Sequence, residues 1–179
     1  MDRKAFLKKT VQMGMASGSL LLCKADGSFA QQTQQEEKDR VQKFKEDWLT
    51  ALIENMDAQL DEKTRTHLML TCGRQCARRG AIGLAQSCKG DLKKMIDTLA
   101  QYPPIEASFD GDDTIRLEYK RCLCELVDHG PDRLPDTYCF CSKGWIHEMF
   151  ETVLEKPVKV DMIQTVKRGA PSCQFVIHV

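Results

Sequence analysis

Two consecutive prolines, Pro103-Pro104, divide the chain into halves of different periodicity. Proline has no backbone N–H and clashes with the preceding turn, so a helix stops at such a pair. Before it, apolar residues recur every three or four positions. After it, much of the chain alternates apolar with polar. The first pattern is that of amphipathic helices and the second that of half-buried strands. The chain is therefore predicted to be α+β, with N-terminal helices packed on an antiparallel sheet built from two hairpins with an intervening helix.

The helical pattern starts at Glu36, and Val41, Phe44, Trp48, Leu52 and Met56 mark one apolar face expected in the core. Asp61 suits the N-cap of a helix from about Glu62 to Arg79, which Gly80 stops. Ala81 to Cys88 reads as a short helical segment. Gly90-Asp91 opens another helix with Leu92, Met95, Ile96 and Leu99 inward. Beyond the prolines, Ile105 to Asp110, the turn Gly111-Asp112 and Thr114 to Val127 form a hairpin. Asp128 to Asp136 contains Gly130, Pro131 and Pro135 and is a loop. Ser142 is placed to cap a helix running to about Glu155, with Ile146, Met149, Phe150 and Val153 buried. Val158 to Val166 and Cys173 to Val179 are the last two strands, joined by a turn at Lys167 to Pro171.

A chain of 179 residues with 42% apolar and 29% charged residues is sufficient for one domain with its own core. The 26 basic and 26 acidic residues balance, and no basic stripe interleaved with aromatics marks a nucleic-acid partner. No run is long enough for an ordinary membrane-spanning helix once a leader is removed. Residues 1–30 read as that leader: Arg3, Lys4, Lys8 and Lys9 precede a mildly apolar stretch, and Ser28-Phe29-Ala30 ends it with small residues where signal peptidase cuts. Asp2-Arg3-Lys4-Ala5-Phe6-Leu7-Lys8 resembles a twin-arginine export signal with Lys4 at the second arginine. The expectation is an exported, periplasmic or extracytoplasmic bacterial protein. Gln31 to Gln35 is a polar tether, and residues 36–179 form a single cysteine-rich domain.

Eight of the nine cysteines follow Ala30. Short-spaced clusters point to metal, disulfide or redox chemistry. On the predicted strand Thr114 to Val127, Cys122 and Cys124 share a face. Same-face neighbours lie about 6.5–7 Å apart, which disfavours a disulfide between them but leaves a shared metal open. Cys139 and Cys141 are placed just before a helix start, where backbone N–H groups stabilise thiolate. Cys122, Cys124, Cys139 and Cys141 are thus the first-choice ligands for zinc or an iron–sulfur cluster. Cys72, Cys76 and Cys88 are the second choice, with Cys173 or a histidine such as His67 completing the set. Gly73 beside them permits close backbone approach. Disulfides and inert buried thiols are the competing uses of these residues.

No catalytic set is evident. Cys141 and His147 are a candidate nucleophile and base without an orienting partner. Asp110-Gly111-Asp112-Asp113 fits a hairpin turn better than a calcium loop. Trp145, Phe150, Trp48 and Phe44 are expected in the core.

Tyr138-Cys139-Phe140-Cys141, Gly144-Trp145, Phe150-Glu151, Pro157-Val158-Lys159-Val160 and the segment from Gly169 through Cys173-Gln174-Phe175 resemble the C-terminal part of 4-vinyl reductase-type small-molecule-binding domains. L-2-amino-thiazoline-4-carboxylate hydrolase-like proteins share the Gly-x-x-x-Cys-x-Phe ending. The resemblance covers residues 138–179. It implies helices on an antiparallel sheet, an internal pocket for a small apolar ligand and, in some members, a cysteine-bound zinc whose matching positions are Cys139, Cys141 and Cys173. It implies no particular reaction. The leading expectation is an exported domain that binds a metal. A cysteine- or metal-dependent hydrolase or reductase, and a disulfide-stabilised interaction domain, are the alternatives.

Overall fold

A computed structural model gives the architecture, describing residues 27–123 and 134–179, with side chains from residue 34 onward. The chain falls into two compact units, Met1–Lys38 and Asp39–Val179. Among the described residues, four helices come first: α1 (Gly27–Gln59), α2 (Glu62–Gly80), α3 (Ile82–Ser87) and α4 (Leu92–Leu99). A hairpin of β1 (Ile105–Phe109) and β2 (Thr114–Tyr119) follows, then a 3-10 turn (Asp136–Cys139) that runs into α5 (Phe140–Leu154). β3 (Lys159–Gln164), a second 3-10 turn (Val166–Arg168) and β4 (Cys173–His178) complete the fold. The fold is α+β, with a wholly antiparallel sheet of order β1-β2-β4-β3.

Local sequence signals set several of these boundaries. Asp61 accepts a hydrogen bond from the Thr64 backbone N–H at 3.0 Å and starts α2; Asp91 does the same for α4 through Lys94 at 2.9 Å. Such caps satisfy N–H groups that have no partner within the helix. At the β1–β2 turn, Gly111 adopts φ 93°, and Asp110 pairs with Arg116 at 2.7 Å, so the acidic run serves a turn.

Alternation decides which sheet face is buried. Register places Ile115 opposite Ile177, Leu117 opposite Phe175 and Tyr119 opposite Cys173. These side chains, with Val160, meet Met95, Ile96 and Leu99 of α4 and Ile146, Met149, Phe150 and Val153 of α5. Each fully buried side chain of this size contributes roughly 1.5–3 kcal/mol relative to an exposed one. A smaller cluster joins Ile53 of α1, Met69 of α2, Leu134 and Tyr138.

Four expectations are corrected. On α1, Ile53 is buried and Leu49 and Met56 are half-buried, whereas Val41, Phe44, Trp48 and Leu52 are exposed. The helix has two apolar stripes, about 100° apart around its axis, and the domain covers the one on Ile53. Gln31 to Gln35, expected as a tether, lie inside α1, because a run of Gln, Thr and Glu holds no helix breaker. β2 ends at Tyr119, so Cys122 is beyond the strand, and the shared face inferred for Cys122 and Cys124 does not apply; Cys124 itself lies outside the described residues. Ser142 caps nothing, since α5 already begins at Phe140, which puts Cys141 in its first turn. Most of the predicted leader and the loop at residues 128–133 lie outside the described residues.

Candidate metal centre

The edge of the large core holds three cysteines. Cys173 opens β4 opposite Tyr119, the last residue of β2, and the chain leaving β2 reaches Cys122 three residues later. Cys139 ends the 3-10 turn that enters α5. All three line one mostly enclosed, largely apolar cavity of about 20 Å³, with Leu134, Tyr138, Thr165, Val166 and Phe175 among its other walls. A cavity of that size takes one water-sized occupant.

The segment after β3 holds this site in place. Arg168 donates to Asp136 at 2.7 Å, tying the second 3-10 turn to the first. Gly169, at φ 82°, ends that turn in a conformation that glycine adopts at little cost and leads back toward Cys173. The Val166 backbone N–H donates to Cys173 Sγ at 3.3 Å. Thr165 is fully buried and its Oγ1 makes no hydrogen bond. It nevertheless acts on Cys139, lowering that thiol's pKa somewhat.

Burial dominates the electrostatics. It pushes the Cys139 thiol up to about 11, with Thr165 working the other way and the neighbouring Cys173, Asp136 and Cys122 adding to the rise. Cys173 is raised by burial and then lowered in part by the Val166 N–H, with Cys122 raising it again. Several thiolates together in an apolar cavity are costly without a cation, and a bound metal ion removes that cost.

A family profile matches residues 22–179. The chain belongs to DUF6144, a family of unknown function. No curated protein matches it.

The other candidate residues that the structure describes in this DUF6144 chain stand apart from the cavity. Cys141 packs, half-buried, against the cluster of Ile53, Met69, Leu134 and Tyr138. Cys72 and Cys76 are exposed on α2, while Cys88 is fully buried beside Ala77, Ala85 and Met95. The structure therefore does not gather Cys72, Cys76 and Cys88. Among the described residues, no three His, Cys, Asp or Glu side chains stand in an arrangement that could hold a metal ion. Cys141 and His147, six residues apart on α5, project from different faces. His147 instead faces an ion network: its Nδ1 lies 3.4 Å from Glu151, Arg74 grips Glu151 at 2.6 and 3.0 Å, and Arg78 holds Glu148 at 2.6 Å. His67 borders an open surface groove with Asp61, Lys63 and Phe140.

Sequence reasoning missed Thr165. Strict alternation from the inward Val160 turns residue 165 outward, but the register slips by one residue between Met162 and Gln164, leaving Ile163 exposed and Thr165 inside. A buried bulge has no reliable sequence signal, so only the structure reveals it.

Proposed function

We propose that this protein is an exported domain that holds a single soft metal ion, zinc foremost, through Cys122, Cys139 and Cys173. One observation carries the reading: three cysteines 17 and 34 positions apart in sequence line the same cavity. Thiolate ligands favour zinc and other soft ions. The size of the cavity supports a mononuclear ion over an iron–sulfur cluster and gives no support to an internal organic ligand, whose pockets measure about 300–1,000 Å³. Two of the three ligands, Cys139 and Cys173, are among those that the resemblance to 4-vinyl reductase-type domains implies; Cys122 replaces Cys141 in that set. Export rests on the basic start and on Ser28-Phe29-Ala30. The reading is of a binding site, since what the cavity offers is cysteine sulfurs.

Elemental analysis of protein purified without added metal tests the reading. About one equivalent of zinc per chain is the expected result, and less than a tenth of an equivalent of any soft metal contradicts it.

A further inference from the structure

One face of α1 is apolar and exposed. A helix turns about 100° per residue, so Val41, Phe44, Trp48 and Leu52 fall within an arc of about 80°. All four are exposed, Phe44 and Trp48 by 69% and 60%. Of the about 150–250 Å² that an aromatic ring can bury, most therefore lies open. Glu37 and Asn55, in line with the stripe, close it at either end. The charges along its two flanks have one sign. Lys45 lies about 20° beyond the Leu52 edge and Arg40 about 40° beyond the Phe44 edge, and both are exposed. The acidic residues of the same stretch, Asp39, Glu46, Asp47 and Glu54, lie at least about 60° beyond the edges. Asp47 also faces Lys43 at 3.7 Å, on the side away from the stripe.

Two aromatic rings one turn apart, flanked by cations and backed by acidic residues, match the surface of an anionic membrane. Among the described residues, no helix is long and apolar enough to cross a membrane. A helix with charges on its other faces can still lie along a bilayer. A stable protein interface takes about 800 Å² from each partner, matched in shape. Four side chains along one convex helix supply less than that. A bilayer needs no matched shape: the rings enter the headgroup boundary, while cations at the edges lay their stems on apolar surface and reach lipid phosphates. We propose that the face of α1 bearing Val41, Phe44, Trp48 and Leu52 docks on the surface of an anionic lipid bilayer, with Lys45 and Arg40 meeting the lipid phosphates. The inference is independent of the metal reading of the cavity.

The test uses the full chain with Trp145→Phe, which leaves Trp48 as its sole tryptophan. With vesicles of equal parts phosphatidylglycerol and phosphatidylcholine, Trp48 emission should shift to the blue and be quenched by lipids brominated on their acyl chains. Vesicles of phosphatidylcholine alone should bind at least about fivefold more weakly. In the same background, Lys45→Gln should weaken binding to the anionic vesicles about fivefold. Phe44→Gln should weaken it about tenfold or more. Both should leave the melting temperature in the absence of lipid unchanged. Should Trp145→Phe fail to fold, the wild-type signal less that of Trp48→Phe gives the same reading, and Trp48→Phe itself should show no quenching. A Trp48 signal that ignores the vesicles overturns the proposal, as does equal binding to both kinds of vesicle. So does binding that neither Phe44→Gln nor Lys45→Gln weakens. A blue shift that grows with protein concentration in the absence of lipid also overturns it, because a second copy of the chain would then cover the stripe.

Discussion

Gly73 of α2 stands so near α5 that a Cβ on it would lie 1.9 Å from the carbonyl oxygen of Cys141. The contact is reciprocal: a Cβ on Gly144 of α5 would lie 2.0 Å from the Leu70 carbonyl. Both obstacles are backbone, which cannot swing aside as a side chain would. Gly73→Ala and Gly144→Ala are each expected to destabilise the domain by about 3 kcal/mol or more, the upper range for overpacking. Together they should cost less than the sum, since both force apart one helix crossing. Chemical denaturation measures this; a loss below about 1 kcal/mol for either would mean the helices pack farther apart.

The same crossing carries the ion network. Glu148 is held below the usual carboxylate range first by its hydrogen bond from Arg78, and Glu151 first by that from Arg74. Lowered carboxylate values stabilise the fold fully above the unfolded-chain value of 4.5, and the contribution fades as pH falls through the folded values. His147 is also lowered, first by burial and then by Arg74, so it loses stability as pH falls from its ordinary 6.5 through its folded value. Acid unfolding should thus begin in a shallow step from His147 and steepen once the glutamates protonate. Replacing Glu148 with Gln should flatten the second step and cost about 1–3 kcal/mol at neutral pH. An unchanged stability-versus-pH curve in that variant would show that the network contributes nothing.

On α1 the two apolar stripes predict opposite sensitivities. Phe44 and Trp48 are 69% and 60% exposed, against 5% for Ile53. Phe44→Gln and Trp48→Gln should change stability by no more than about 0.5 kcal/mol. Ile53→Ala should cost about 2–5 kcal/mol. Equal losses at Trp48 and Ile53 would mean that both stripes are covered in solution.

The sheet was legible because alternation and burial agree: Ile115, Leu117, Phe175 and Ile177 lie on one face and all are buried. Asp61, Asp91 and the inward faces of α4 and α5 follow from capping and helical spacing alone. The expectation that Gly73 permits a close backbone approach also matches the structure. Periodicity failed where two answers satisfy it. Along α1 it found the stripe with the larger aromatics, although tertiary contact favours the one on Ile53. For the cysteines, pairing by sequence spacing grouped Cys139 with Cys141, which the first turn of α5 sends to different surroundings. The meeting of Cys122, Cys139 and Cys173 depends on where β2 ends and on the register of β4, both long-range properties.

The most direct measurement is metal content across a series of single cysteine-to-serine variants, each purified without added metal and checked for folding. Cys122→Ser, Cys139→Ser and Cys173→Ser should each lose most of the bound metal. Cys72→Ser, Cys76→Ser and Cys141→Ser should keep about one equivalent per chain. Full retention in Cys139→Ser and Cys173→Ser, or loss on replacing Cys72 or Cys76, would place any metal elsewhere and contradict the three-cysteine centre.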